Sequence, residues 1–284
     1  MIDRVRVAAI QPRSHTLGDE ERNVSDALGW MERAALVGAD LVVFPEGYPG
    51  PTNPLNQYDA VSPLGARAAE YGQHVVAGGI EPDGNGGHHV VLRLISESGE
   101  VAGTYRRTTP HGPYVYQDID AWGFQYTAHD APPSVVHTRL GGVGMLVCSE
   151  VYVPELSRLL ALQGADIIVY PAGGAINELL DSWRTLIEAR AIENLLYTVA
   201  TQNLYDATEK GVGTIAGPEQ VLASSDSEGM LVADLDLQRL RYLRSEVERI
   251  VVPKPYKTIP GVIDWRRPEL YADLTDPALK PETR

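Results

Sequence analysis

Three side chains in this sequence could together break an unactivated carbon–nitrogen bond. Cys148 is the only cysteine among 284 residues, and it follows the apolar run Gly144-Met145-Leu146-Val147 and precedes Ser149-Glu150. A lone thiol cannot staple the chain to itself, so either packing or chemistry explains its placement. Glu46 ends a second apolar run, Leu41-Val42-Val43-Phe44-Pro45, and Arg107 ends a third segment of strand character that begins at Val101. Attack on an amide or nitrile carbon needs a nucleophile, a group that stabilises the resulting anion, and a group that protonates the departing nitrogen. Cys148, Arg107 and Glu46 match those needs in turn. Glu46 would take the thiol proton, deliver it to ammonia and then activate water against a thioester, work that suits a partly buried carboxylate. Arg107 is permanently charged and cannot shuttle protons. Its roles are to stabilise an anion, to anchor an acidic substrate through its planar fork, or to pair with a neighbouring acid.

Weaker candidates surround these three. Ser149, Glu150, His111, Tyr114 and Ala172 are assigned to substrate binding, each beside a structural alternative. A carboxylate two residues past a strand, as at Glu150, also suits backbone hydrogen bonding. His111 lies in a loop with Pro110, Gly112 and Pro113, where exposure is an equal expectation. Ala172-Gly173-Gly174 would let a substrate approach the backbone or serve only the turn. Tyr114 belongs to the aromatic stretch Tyr116, Trp122, Phe124 and Tyr126, which would form a pocket wall or pack as an ordinary loop. The histidines lack metal-ligand spacing, and Gly142-Val143-Gly144 lacks the third glycine of a dinucleotide fingerprint, so neither metal nor cofactor is expected.

The elements that must position these residues read as strands alternating with amphipathic helices. Residues 4–11, 41–44, 74–80, 88–96, 101–107, 134–137 and 143–147 have strand character, and residues 20–37 have helical spacing. Asp83-Gly84-Asn85-Gly86-Gly87, Ser98-Gly99 and Gly141-Gly142 predict hairpin loops, and hence antiparallel pairs beside any parallel core. The pattern Gly38-Ala39-Asp40-Leu41-Val42-Val43-Phe44-Pro45 returns as Gly164-Ala165-Asp166-Ile167-Ile168-Val169-Tyr170-Pro171. One helix-stop, turn and strand unit used twice predicts an α/β fold of two mixed sheets packed face to face, with helices outside. At the end of the echo Glu46 is matched by Ala172, so the turn itself does not require an acid.

Composition narrows the setting. Hydrophobic content of 44% and charged content of 22% describe one sizeable core. The net charge of −14 would repel a nucleic-acid backbone or an anionic membrane. No apolar segment approaches the roughly 20 residues of a membrane span, and the first residues lack a secretory pattern, so a cytoplasmic location is expected.

The motifs carry a family resemblance. Phe44-Pro45-Glu46 resembles the glutamate motif, and Cys148-Ser149-Glu150-Val151-Tyr152-Val153-Pro154-Glu155 the cysteine motif, of the nitrilase or carbon-nitrogen hydrolase superfamily. Ala189-Arg190-Ala191-Ile192-Glu193-Asn194 with Tyr197 and Asn203, and the late Arg266-Arg267-Pro268-Glu269-Leu270-Tyr271, extend the likeness over nearly the whole chain. It implies a four-layer α-β-β-α sandwich, a Glu–Lys–Cys catalytic set, a hydrolase domain over residues 1–250, and a 251–284 extension that packs on a partner in a homodimer or higher homo-oligomer. Two departures stand out. Tyr105-Arg106-Arg107 occupies the place of the family's Tyr-Arg-Lys, all four lysines lying after Cys148. Val115 stands where amidase members carry a second glutamate, with Asp118 and Asp120 nearby. Ser149, where nitrilases proper place tryptophan, implies amide rather than nitrile hydrolysis through a Cys148 thioester, with carbamoyl compounds as further substrates. The departures leave room for a biosynthetic member doing non-hydrolytic chemistry, or for a binding protein with a disabled pocket.

Overall fold

The computed structural model describes residues 2–56, 58–109, 126–174, 177–245, 266–276 and 278–279. His111, Tyr114, Val115, Asp118 and Asp120 lie outside these residues.

Two six-stranded sheets form the centre. The first is built on β1 (Arg4–Gln11), β2 (Leu41–Val43) and β3 (His74–Pro82), which run parallel. The antiparallel strands β4 (His88–Ile95) and β5 (Val101–Arg106) extend it on one side. The second opens with β6 (Val136–Thr138), antiparallel to β7 (Gly141–Met145), and continues in parallel through β8 (Ile167–Ala172) and β9 (Tyr197–Gln202). Antiparallel β10 (Thr214–Ala216) and β11 (Val221–Ser224) complete it, while β12 (Gly229–Asp236) returns to pair with β1 of the first sheet.

Side-chain alternation along each central strand decides which layer a residue enters. Val5, Val7 and Ala9 of β1 join Leu41 and Val43 of β2 in the core between the sheets, whereas Ala8, Ile10 and Val42 point to the outer layer. That layer is α1 (Arg22–Leu36) and α2 (Val61–Tyr71). The buried residues of α1, Asn23, Ala27, Met31 and Ala34, recur every three or four positions and so make one stripe against the sheet. On the second sheet α3 (Pro154–Leu162) and α4 (Leu180–Asn194) connect β7 to β8 and β8 to β9. Central strands covered on both faces are apolar throughout, as the burial of every residue in β2 and β8 shows. A short α5 (Leu237–Arg244) follows β12, its first turn capped by the Asp236 carboxylate, which accepts from the Arg239 amide at 2.7 Å.

The sequence echo is an echo of structure. Gly38 (φ 71°) and Gly164 (φ 90°) both adopt the left-handed conformation that ends a helix. The amides of Gly38 and Ala39 donate to Ala35 and Ala34 in one copy, and those of Gly164 and Ala165 to Ala161 and Leu160 in the other. Asp40 and Asp166 then each accept from a backbone amide of the preceding strand, Arg6 at 3.0 Å and Gly142 at 2.9 Å.

One hairpin differs from expectation. Gly141 and Gly142 are strand residues of β7 paired with Thr138 and His137, and the loop is Arg139-Leu140. A β-carbon on Gly142 would lie 2.4 Å from the carbonyl oxygen of Gly164, so the small residue there serves close packing against the second echo turn.

Candidate active site

Parallel strands deliver their carboxyl ends to one crevice, and the two sheets deliver theirs to the same one. Glu46 follows β2, Cys148 follows β7 and Asn203 follows β9, all close to the end of β8.

The Glu46 turn is set by backbone. Tyr48 N–H donates to Pro45, Gly47 takes φ 67°, and Gly78 of β3 passes so closely beneath that a β-carbon there would stand 2.3 Å from the Gly47 nitrogen. Asn203 Nδ2 donates to the Glu46 carbonyl at 2.8 Å, while its Oδ1 accepts from the Ser14 hydroxyl at 2.6 Å. Each carboxylate oxygen of Glu46 has its own donor: Oε1 accepts from Arg107 Nη1 at 2.9 Å and Oε2 from the Gly173 amide at 2.8 Å.

Arg107 lies just past β5, its amide donating to Val90 and its carbonyl accepting from His129, both at 2.9 Å. Its side chain is 2% exposed. Besides the bond to Glu46, Nη2 donates to Ser149 Oγ at 2.6 Å and Nε to the Thr109 carbonyl at 3.1 Å. The guanidinium thus joins the Glu46 turn of one sheet to the Cys148 turn of the other, a reach that a planar fork provides and a single ammonium does not.

Cys148 opens a short 3-10 turn, Cys148–Tyr152, with φ 53°. A residue carrying a β-carbon pays roughly 1–2 kcal/mol for that left-handed conformation, and such strain persists only where surrounding bonds enforce it. Here Val147 and Glu150, on either side, hold the turn through Glu150 N–H to Val147 O at 3.0 Å and Val147 N–H to Glu150 Oε2 at 2.7 Å. Burial pushes the thiol up to about 12, and the neighbouring Glu46 carboxylate, which accepts from the S–H, adds to the rise. Arg107 and the Gly173 amide pull in the opposite direction. Burial and the Glu46 carboxylate thus both favour the protonated thiol over the thiolate.

Of the remaining sequence candidates, Ser149 touches Arg107 as described. Glu150 and Ala172 have no exposed surface. Glu150 lies behind Cys148, where its carboxylate is taken up by hydrogen bonds from protein donors, so it stands in the wall and not on the crevice. Ala172 ends β8 and accepts through its carbonyl from the Asn203 amide. Its neighbour Gly173 carries the contact to Glu46, which residue-type reasoning about a turn could not single out. The echo matches Glu46 to Ala172 in the repeated pattern but carries no distance between them, so no sequence signal singled Gly173 out. A β-carbon at Gly173 would meet Glu46 Oε2 at 2.9 Å. Tyr205 was missed altogether; its half-exposed ring reaches to 4.0 Å from where a β-carbon on Gly174 would stand, next to Gly173, and desolvation and then the Glu46 charge raise its phenol, as they do that of Tyr126. Among the described residues no group of three or more His, Cys, Asp or Glu side chains is arranged to hold a metal ion.

A family model for carbon-nitrogen hydrolases matches residues 6–245. The chain belongs to that family. It is also similar to proteins from distant sources. Human deaminated glutathione amidase is 29% identical over 91% of this chain and 82% of its own length. N-carbamoylputrescine amidase of Arabidopsis thaliana is 25% identical over 90% and 91% respectively. Among solved structures, a carbon-nitrogen hydrolase from Helicobacter pylori G27 superposes with a TM-score of 0.80 at 22% identity, covering 97% of this chain and all, 100%, of that one. An amidase from Nesterenkonia sp. gives 0.75 at 24% identity, covering 95% and 96%. The two six-stranded sheets with outer helices are the fold of this carbon-nitrogen hydrolase family, and the chain is an enzyme of that class.

Proposed function

We propose that this hydrolase cleaves a small amide, or a related carbamoyl carbon–nitrogen bond, through a thioester on Cys148, with Arg107 in the role the family gives to lysine. The observation that carries the reading is the sharing of Glu46: one carboxylate oxygen is held by Arg107 and the other by Gly173, with the thiol of Cys148 donating to the same carboxylate. Sulfur attacks the amide carbon as its proton passes to Glu46, and the carbonyl π pair moves to oxygen. Arg107 supplies the positive charge beside that oxyanion, an interaction whose loss typically costs about 3 kcal/mol of transition-state stabilisation. Collapse of the adduct breaks the C–N bond, and Glu46 returns the proton so that nitrogen departs as ammonia. Water then adds to the thioester, giving its proton to Glu46, and the acid leaves as the thiol is restored.

Relatives named as amidases support an amide over a nitrile. A mutant of the Nesterenkonia amidase that carries the acetamide moiety of fluoroacetamide at its active-site cysteine supports a cysteine as the reactive group. Intact-protein mass spectrometry with amides, nitriles and ureas tests the reading. An acyl adduct with ammonia release, absent in Cys148→Ala, is the expected result; neither adduct nor ammonia from any of the panel overturns it.

We also place the protein in the cytoplasm, where a lone thiol stays reduced; no helix among the described residues is long and apolar enough to cross a membrane. We further propose that residues 1–250 make up the hydrolase domain and that the extension, through its described residues 266–276 and 278–279, meets a second copy. The exposed Leu270, Leu274 and Leu279 support a partner there. Sedimentation of the full chain and of a chain ending at residue 250 distinguishes dimer from monomer.

A further inference from the structure

Glu150 is a buried acid that the proposed reaction does not use. Its Oε1 accepts from the amides of Thr108 at 2.9 Å and Thr109 at 3.0 Å, and from the hydroxyls of the same residues at 2.9 and 3.0 Å. Its Oε2 accepts from the Val147 amide at 2.7 Å, and the Tyr105 hydroxyl stands 2.7 Å from each oxygen. Burial, then the Glu150 charge, raises the Tyr105 phenol, so that hydroxyl remains a donor. A carboxylate with donors on both oxygens is satisfied without a cation beside it.

The donors fall into two groups. Tyr105, Thr108 and Thr109 flank Arg107 in the chain, and Val147 immediately precedes Cys148. Ser149, between Cys148 and Glu150, receives Arg107 Nη2. A closed circuit results: the Arg107 segment binds the nucleophile turn once through Ser149 and again through Glu150. We propose that Glu150 is a positioning residue whose carboxylate clasps the Arg107 segment to the Cys148 turn and thereby fixes the guanidinium against Glu46 and beside the sulfur. The inference stands on the geometry of the turn and is independent of the amide reading.

The chemistry of the clasp requires an acceptor at both ends. Glutamine keeps the shape but turns one oxygen into an N–H2 group, which must face either the threonine amides or the Val147 amide, donor against donor. One side of the clasp opens whichever way the amide is turned.

Alkylation of Cys148 by iodoacetamide, followed by intact mass between pH 7 and 9, reads the result without a substrate, because the chain has no other thiol. Arg107→Met should slow alkylation at every pH in that range by roughly ten-fold, the equivalent of about one pH unit in the thiol. Glu150→Gln should slow it to a similar extent, yet have less than a further two-fold effect in the Arg107→Met background, since coupled residues are non-additive. A residue that served only stability would lower the melting temperature without that coupling. Alkylation by Glu150→Gln within two-fold of wild type, or slowing that multiplies in full with Arg107→Met, overturns the proposal. Should Glu150→Gln fail to fold, Thr108→Val with Thr109→Val removes the two hydroxyl donors and keeps the acid. That pair should then slow alkylation roughly three-fold in the wild-type background and not in Arg107→Met, and equal slowing in both, or none in either, overturns it.

Discussion

In the proposed reaction Glu46, Arg107 and Cys148 work as a unit, so each substitution tests a different link. Cys148→Ala removes the nucleophile, and turnover should fall to background in an ammonia-release assay. Glu46→Gln keeps the shape and loses the proton shuttle, for which a drop of about 10²–10⁴ in kcat is expected. Arg107→Lys retains charge but cannot reach Glu46 and Ser149 together; kcat should fall by more than KM rises. Arg107→Met leaves Glu46, whose side chain is 12% exposed, without its charged partner, and denaturant unfolding should show a loss of about 3 kcal/mol. The thiol adds a pH dependence of stability. Its ordinary value is 9.0 and burial carries it to about 12 in the folded protein, so above pH 9 the unfolded chain loses a proton that the folded chain keeps. Stability therefore falls as pH rises through that window, by up to about 1.4 kcal/mol per pH unit. The difference in unfolding midpoint between wild type and Cys148→Ala, compared at pH 8 and pH 10, should register this change. Residue types alone marked the acid, the cation and the thiol. They could not mark Gly173 or Tyr205, because a backbone amide and an isolated aromatic have no chemistry visible until something is placed beside them.

At the scale of elements, the two echo turns and the glycines around them predict contrasting outcomes. Gly38 and Gly164 need the left-handed conformation, but a β-carbon on either approaches nothing closer than 4.0 Å. Gly38→Ala and Gly164→Ala should each cost about 1 kcal/mol from backbone strain, add in the double variant, and leave kcat unchanged. Gly78 is the opposite case. Its added β-carbon would strike the backbone of Gly47 and Pro45, at 2.3 and 2.8 Å, so Gly78→Ala should displace Glu46 and abolish turnover even in protein that remains folded by circular dichroism. The expected strands at 4–11, 41–44 and 74–80 and the helix at 20–37 were legible because period and apolar content agree there. The 141–142 hairpin was misplaced by two residues because Gly-Gly signals a turn and a close contact equally well.

Over the whole molecule, a charge of −14 spread on a compact chain opposes folding through self-repulsion. Salt screens that repulsion over a Debye length of about 10 Å at 0.1 M. Melting temperature should therefore rise by a few degrees between 10 and 200 mM sodium chloride, and calorimetry at fixed pH would show it. The two sheets contribute in the opposite sense: Val7, Val43, Val76, Val143 and Ile167 meet in one core between them, so the site at their shared end has rigid walls on both sides.

What the sequence determined by itself was the inventory: a single thiol, an acid at a strand end with no structural need for it, an arginine closing another strand, and one supersecondary unit written twice. Those follow from side-chain chemistry and from periodicities of two and 3.6, which are local properties of the chain. What only the tertiary structure decided was the pairing of the two halves. Glu46 and Gly173 are 127 positions apart and Glu46 and Asn203 are 157, yet they meet at under 3 Å. No local signal encodes that distance, because it arises from two sheets stacking through apolar faces that would tolerate many offsets. The offset is fixed by a few buried polar contacts, Arg107 to Ser149, Glu150 to Thr108 and Asn203 to Glu46, that can be satisfied in one arrangement.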